Sequence, residues 1–261
     1  MITSTKNDQV KAVIELKKKA RARNEQGLFV VEGVRMAAEL PKDQVKSIYV
    51  SETFAKNPEN AAILAEYPGY ELVSDQVFAA MSDTQTPQGV LALVRQFSYG
   101  MEDLLKNDRP AHLMVLENLQ DPGNLGTIVR AGEGAGVTGI IMDSSTADIY
   151  NPKVIRSTMG SILRVPFVYV EDLDSALAKL KSKKIRMFAA HLDGKNSYDQ
   201  EDYKDDSAFL IGNEASGLKE ETAQKADIWV RIPMCGRVES LNAAVASSVL
   251  MFEAARQRRG L

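Results

Sequence analysis

The sequence predicts an α/β protein in two parts. A smaller alternating unit is expected over residues 1–96, a linker over 97–110, and a larger unit with a mostly parallel sheet over 111–261. Three observations carry this reading. Apolar runs of strand length recur along the chain between segments of helical periodicity. The alternation breaks once, at Tyr99-Gly100 and Asn107-Asp108-Arg109-Pro110, among mixed charges. Two late runs, Phe209-Leu-Ile-Gly-Asn-Glu-Ala-Ser-Gly-Leu218 and Ile232-Pro-Met-Cys-Gly-Arg-Val-Glu-Ser-Leu-Asn242, read as glycine-containing polar loops following buried strands. Open α/β sheets place their ligand sites at such carboxyl edges.

In order along the chain, residues 7–22 read as a helix with Val10, Val13 and Ile14 on one side. Leu28-Phe-Val-Val31 is a short apolar strand, and Gly33 to Leu40 a helix stopped by Pro41. Strands follow at 45–50, 71–73 and 90–94, with helices near 59–66 and 75–81. Beyond the linker, strands are expected at 112–117, 139–142, 165–170, 185–190, 207–211 and 228–232. Helices lie between them at 124–135, 151–160, 172–182 and 218–225, and a last one spans 243–258. Asn242 suits its N-cap, Arg256, Arg258 and Arg259 suit its C-terminal dipole, and Gly260 follows. Its small residues Ala243, Ala244, Ala246, Ser247 and Ser248 permit close backbone approach, either onto the sheet or onto another subunit.

Composition bounds the function. Of 261 residues, 44% are hydrophobic and 26% charged, as in ordinary water-soluble domains, and no apolar run has the length of a membrane span. No signal segment is read at Met1-Ile-Thr-Ser-Thr-Lys6, and the single Cys235 excludes an internal disulfide, so a reducing, cytoplasmic setting is expected. With one Cys and two His, neither a thiol nucleophile nor a metal site is expected. The net charge of −3 gives no global hint of a nucleic-acid partner. From Lys6 to Gln26, however, seven basic residues stand against three acidic ones. This run is either a solvated helix face or a phosphate-contacting edge.

Gly134-Ala-Gly-Val-Thr-Gly139 spells the dinucleotide-binding fingerprint, but in the wrong context. That motif must leave a strand and open a helix; here the glycines end a helix and feed a strand. The stronger constellation is the convergence of three segments: Glu117 to Arg130, the loop carrying Glu214, and the Ser240-Leu-Asn242 triplet. Asn124 falls where a helix N-cap is expected. Arg130, among Ile128, Val129 and Ala131, reads as partly buried and in need of an anionic partner.

Asp121-Pro-Gly-Asn-Leu-Gly-Thr-Ile-Val-Arg130, Ile211-Gly-Asn-Glu-Ala-Ser-Gly217 and Ile232 to Asn242 resemble the three ordered motifs of the SpoU/TrmH RNA 2′-O-ribose methyltransferases of the SPOUT superfamily. Asn151-Pro-Lys-Val-Ile-Arg-Ser-Thr-Met-Gly160 and Phe252-Glu-Ala-Ala-Arg256 fit as well. Phe29-Val-Val-Glu-Gly33 and Thr86-Pro-Gln-Gly-Val90 are similar to the substrate-binding domain often fused to these enzymes. The resemblance implies a C-terminal trefoil knot, one of the rare exceptions to unknotted topology, and an N-terminal α/β/α domain like RNA-binding ribosomal proteins. It implies S-adenosylmethionine as cofactor, a homodimer with sites near the subunit interface, and neither metal nor membrane. By motif position, Gly212, Ile232 and Leu241, with Asn213 and Met234, would contact the cofactor. Asn124, Arg130, Glu214, Ser240 and Asn242 would form the catalytic cluster, with Arg130 held by Glu214 and clamping the target phosphate. Lys17, Lys18, Arg21, Arg23, Lys153 and Arg156 are the expected RNA contacts, with Arg164 a further candidate. The expected substrate is 23S ribosomal RNA; transfer RNA, or RNA binding without turnover, is the alternative.

Overall fold

The computed structural model describes residues 1–106 and 108–260; Asn107, within the expected linker, and Leu261 lie outside the described residues. The chain forms two compact units, and their division departs from the expected boundaries. One unit comprises Met1–Phe97 and Asp148–Leu163, the other Ser98–Ala147 and the chain from Arg164 onward.

The first unit opens with α1 (Asp8–Lys18), capped by the Asn7 side chain accepting from Gln9 N. Val10, Val13 and Leu16 are fully buried. The helix expected over 7–22 breaks at Lys19, and α2 (Ala20–Gln26) restarts it. The physical reason is Arg23. Its Nη1 donates to Leu16 O (2.7 Å) and Lys17 O (3.2 Å), satisfying carbonyls that a helix end orphans. β1 (Leu28–Glu32), α3 (Val34–Ala38), β2 (Val45–Ser51), α4 (Glu52–Lys56), α5 (Ala61–Glu66), β3 (Glu71–Val73), α6 (Asp75–Met81) and β4 (Val90–Arg95) follow. α3 is shorter than the helix expected from Gly33 to Leu40. The four strands form a mixed sheet in the order β1-β4-β2-β3, with β4 antiparallel to both neighbours. Val77, Phe78 and Met81 of α6 share a core with Val10, Val13 and Leu16 of α1.

In the second unit the expected linker is part of the fold. Leu104 is fully buried in the core, with Tyr99, Met101 and Leu105 packed against it. A Cβ at Gly139 would lie 2.3 Å from Leu104 Cγ, which is why that strand must begin with glycine. The elements are β5 (His112–Leu116), α7 (Pro122–Ala135) and β6 (Gly139–Asp143), after which α8 (Pro152–Thr158) belongs to the first unit. β7 (Phe167–Val170), α9 (Leu173–Ser182), β8 (Arg186–Ala190), β9 (Asn196–Ser197), β10 (Ser207–Ile211), α10 (Glu220–Ala223), β11 (Ile228–Arg231) and α11 (Ala243–Arg258) complete it. All paired strands are parallel, in the order β7-β6-β5-β10-β8-β11-β9. β5, β6 and β10 are buried along their whole lengths, as a sheet covered on both faces requires.

Helix ends in this unit follow local chemistry. Gly136, at φ 76°, is the left-handed stop of α7, so the glycines of the rejected fingerprint end a helix. α10 is shorter than the helix expected over 218–225; buried Glu117 accepts from Lys219 N (2.8 Å) and Thr222 Oγ1 (2.6 Å) at its start. Asn242 caps α11 through bonds from Ala244 N (2.9 Å) and Val245 N (3.3 Å). Ala244, Ser247, Met251 and Ala254 of α11 are buried, whereas Val245 and Phe252 are exposed on its other side. At its far end Arg258 donates to Tyr203 O, Pro110 O, Ala111 O, Asp205 O and Ser207 Oγ, all within 3.0 Å. Among the described residues no helix is long and apolar enough to cross a membrane.

His112, at the start of β5, is fully buried, and neither ring nitrogen has a hydrogen-bond partner among the described residues. Burial, followed by the positive charges of Arg258 and Arg109, pushes its pKa down to about 3 from 6.5. The Ala135 carbonyl favours the proton slightly, without the geometry of a bond. The folded pKa lies below the unfolded one, so protons bind the unfolded chain first. Stability is therefore lost as pH falls from 6.5 toward 3, at up to about 1.4 kcal/mol per pH unit. His112→Leu is expected to flatten this slope. Urea unfolding at pH 7 and pH 5 should show the wild type losing about 2 kcal/mol more than the variant between those values.

Candidate active site

The three segments singled out by sequence meet in the second unit, at the carboxyl edge of the parallel sheet. Loops after β8, β10 and β11 and the start of α11 enclose a cleft of about 380 Å³. Its walls include Ile211, Gly212, Asn213, Glu214, Leu218, Ile232, Met234, Ser240 and Leu241. Gly212 is buried where the chain doubles back on itself. A Cβ there would stand 2.1 Å from both Gly217 C and Leu218 N, so any side chain is excluded. Asn213 and Gly217 exchange backbone bonds of 3.0 and 2.9 Å across the turn. The Asn213 side chain locks it from inside, accepting from Ala215 N (2.9 Å) and Ser216 N (3.2 Å).

A polar relay leads from Glu214 on the cleft wall to Asn124 and Asn242, which lie outside the cleft lining. Asn242 Nδ2 donates to Asn124 Oδ1 (2.9 Å), and Asn124 Nδ2 donates to Glu214 Oε1 (3.0 Å). Glu214 also accepts from Asp121 N (2.9 Å), Gln120 N (3.1 Å) and, at 3.5 Å, Asn213 Nδ2. Partial desolvation opposes its ionisation, but the bonds from Asn124 and the Asp121 and Gln120 amides outweigh this. They hold the carboxyl below the usual carboxylate range. One relay thus joins segments 90 and 118 residues apart in sequence.

Several expectations are corrected. Asn124 is not the N-cap of α7. Asp121 is, accepting from Asn124 N (2.8 Å), which leaves the Asn124 side chain free for the relay. Arg130 is exposed, lies outside the cleft lining and makes no ion pair with Glu214, whose oxygens are filled by other donors. The apolar neighbours of Arg130 mislead because 100° per residue turns it to a different side of α7. Ser240 is exposed on the cleft wall.

The six cations expected to meet RNA all lie in the first unit and divide into two groups. Lys17 and Arg23 are buried and serve the fold. Lys17 Nζ donates to Met81 O (2.6 Å) and sits 3.2 Å from Asp83 and 3.4 Å from Glu32. Arg23 pairs with Asp148, tying the 148–163 segment into that unit. Neither is available to a phosphate. Lys18, Arg21, Lys153 and Arg156 are exposed, with Arg21 paired to Glu25 and Arg156 3.9 Å from Asp83. Arg164, in the second unit, pairs with Glu133. The sequence reading also misses His191, which lines the cleft and packs at a tilt against Trp229, ring centroids 4.3 Å apart. Its place just after β8, at the carboxyl edge, is the signal that could have found it.

Comparison with known proteins identifies the family. Residues 111–252 match the model of the SpoU rRNA Methylase family, and residues 7–92 that of the MRM3-like substrate binding domain. A curated relative, the Bacillus subtilis (strain 168) 23S rRNA (guanosine(2553)-2′-O)-methyltransferase RlmP, is 30% identical, covering 96% of this chain and 97% of its own. The AdoMet-bound rRNA methyltransferase from Sinorhizobium meliloti superposes with a TM-score of 0.85 at 28% identity, over 98% of this chain and 97% of the other. The AviRb methyltransferase from Streptomyces viridochromogenes, in complex with AdoMet, gives 0.86 at 25% identity over 97% and 99%. With its three loops closing one cleft and a family match over more than half its length, the chain belongs to the SpoU rRNA methylase family.

Proposed function

We propose that this protein transfers a methyl group from S-adenosylmethionine to a ribose 2′-hydroxyl of RNA, with 23S ribosomal RNA as the substrate. The observation that carries the reading is the Asn242–Asn124–Glu214 relay, joined through Glu214 to a cleft whose wall is a doubled-back loop. The cleft suits the cofactor chemically. Its apolar residues Ile211, Leu218, Ile232, Met234 and Leu250 offer surface to an adenine and a thioether chain. Asp193, Glu214 and Glu239 face it against a single Arg231, a negative balance that favours a cationic sulfonium. Backbone groups of Gly212, Ile232 and Leu241 would hold the cofactor, with Asn213 and Met234 flanking it.

S-adenosylmethionine, when bound, would supply an electrophilic methyl and leave as the neutral thioether, with the hydroxyl proton passing to solvent, so the protein's task is alignment and charge stabilisation. Glu214, already accepting four hydrogen bonds, is a poor proton acceptor and acts as the fixed anchor of Asn124. Asn124 and Asn242 orient the incoming ribose. Ser240 offers a hydroxyl on the cleft wall, and Arg130 supplies the permanent cation for a target phosphate and a developing alkoxide. The C-terminal segment after β11 would thread the loop preceding it as a trefoil knot. The placement of β10 between β5 and β8, with α11 packed back on α7, supports that threading.

Arg130 reaches a site through a homodimer in this reading. Val245, Val249 and Phe252 recur at helical spacing on the outer side of α11, with Val245 and Phe252 49% and 46% exposed. Gly134 of α7 abuts the Phe252 ring, and Arg130 lies one turn before Gly134, at the edge of this apolar stripe. A twofold contact through the stripe would carry Arg130 toward the partner's cleft. Phe252→Glu is expected to weaken the dimer at least ~100-fold in Kd, because the change is felt twice in a twofold interface. Sedimentation velocity reads this directly, and a fully dimeric variant would remove the stripe from the account.

RNA would be gathered by Lys18, Arg21, Lys153 and Arg156 of the first unit, consistent with its match to a substrate-binding domain. The proposal is tested by incubating purified protein and ribosomal RNA with methyl-labelled S-adenosylmethionine, followed by nucleoside mass spectrometry. A 2′-O-methylated nucleoside carrying the label supports it. Label on a base, or none in ribosomal RNA, rejects it.

A further inference from the structure

Three non-glycine residues among those described have positive φ: Asn118 (53°), Met159 (51°) and Lys184 (61°). Met159 and Lys184 follow helices, where a left-handed residue satisfies the helix end. Asn118 ends no helix. It stands between β5 and the N-cap of α7, and its backbone and side chain are both engaged. Its N–H donates to Asp143 Oδ1 (2.9 Å), its carbonyl accepts from Asn213 Nδ2 (2.9 Å), and its side-chain oxygen accepts from Gln120 Nε2 (2.7 Å). Asp143 is itself buried at the end of β6, outside the cleft lining, and accepts from Thr146 Oγ1 (2.7 Å) and the Ser145 hydroxyl. The turn so fixed aims two successive amides, Gln120 N and Asp121 N, at Glu214.

We infer that Asn118, anchored by Asp143, is a positioning residue for methyl transfer: its left-handed backbone sets the turn that holds Glu214, and through it Asn124, in the relay. The inference rests on the methyltransferase reading above. Asparagine is among the few side chains that tolerate this conformation, and glycine adopts it freely, whereas a β-branched residue does not. Backbone geometry, rather than the amide side chain, is therefore the working part.

The test compares Asn118→Val, Asn118→Gly, Asp143→Ala and the double variant that combines Asn118→Val with Asp143→Ala, all in the full chain and all checked for a folded melting transition. Asn118→Val is expected to lower kcat at least ~100-fold while Asn118→Gly stays within about fivefold of wild type. Asp143→Ala should follow the valine variant, and the double variant should be no worse than the poorer single, since both changes release one turn. A second readout separates positioning from general damage. With its two amide donors misplaced, Glu214 holds its proton to higher pH, so the acid limb of the kcat profile moves upward in Asn118→Val and Asp143→Ala but not in Asn118→Gly. Equal impairment of Asn118→Gly and Asn118→Val would overturn the inference, as would full activity in both or an unmoved acid limb. A wild-type protein that transfers no methyl group would instead sink the functional reading on which the inference stands.

Discussion

Gly212→Ala is expected to empty the cleft of cofactor while leaving most of the protein folded. The added methyl would meet Gly217 C and Leu218 N at 2.1 Å and Gly217 O at 2.3 Å. These are backbone atoms, so no rotamer change relieves the clash, and the turn itself must open. Opening it breaks the Asn213–Gly217 backbone pair and moves the loop that carries Glu214. Overpacking of this kind costs roughly 1–3 kcal/mol of stability. The effect on binding should be larger, because the cofactor loop itself is displaced. Calorimetric titration with S-adenosylmethionine should show at least ~100-fold weaker binding, about 2.7 kcal/mol. A variant that binds like wild type would mean the turn is not the cofactor's seat.

Arg130→Ala is expected to separate catalysis from binding. Arg130 is exposed and outside the cleft lining, so removing it should leave cofactor affinity within about threefold, under about 1 kcal/mol. Losing a cation aimed at developing negative charge costs ~10²–10³ in rate. Single-turnover methylation of RNA beside cofactor titration reads both quantities. Mixing Arg130→Ala with Gly212→Ala sharpens the test. If Arg130 serves the partner's site, the heterodimer has one intact composite site and should recover activity that neither homodimer has. A mixture as inactive as its parents would place Arg130 and its cleft on the same chain.

Local chemistry was legible in the sequence wherever one residue decides the outcome. Asn242 starts α11 because its own side chain reaches two amides ahead, and Gly136 ends α7 because it turns left-handed there at no steric cost. The mostly parallel character of the larger sheet was legible too, from buried apolar runs alternating with helices, but its strand order was not. What escapes is whatever depends on a distant partner. The break at Lys19 follows from Arg23 reaching back to Leu16 and Lys17, and no glycine or proline announces it. Residues 97–110 read as a linker because Tyr99-Gly100, mixed charge and the run up to Pro110 break the alternation; only packing beside Gly139 makes Leu104 a core residue.

The candidate site shows the same split. Its three segments were recognisable, but not the order of hydrogen bonds among them. Asn124 looks like a cap by spacing, and only the presence of Asp121 in that role frees it for Glu214 and Asn242. Lys17 and Arg23 look like surface cations in a basic run. Their partners, Met81, Glu32 and Asp148, lie 64, 15 and 125 residues away and draw them inside. Asn118 and Asp143 carry no motif of their own that demands a left-handed turn.

The central claim is ribose methylation of ribosomal RNA at this cleft, and mapping 2′-O-methyl groups across total RNA tests it most directly. Cells lacking the gene, cells carrying it, and cells carrying Arg130→Ala would be compared. The account predicts one position in 23S RNA that is methylated only with the wild-type gene and unmethylated with the variant. An unchanged ribosomal map, or a lost methyl confined to transfer RNA, would contradict it.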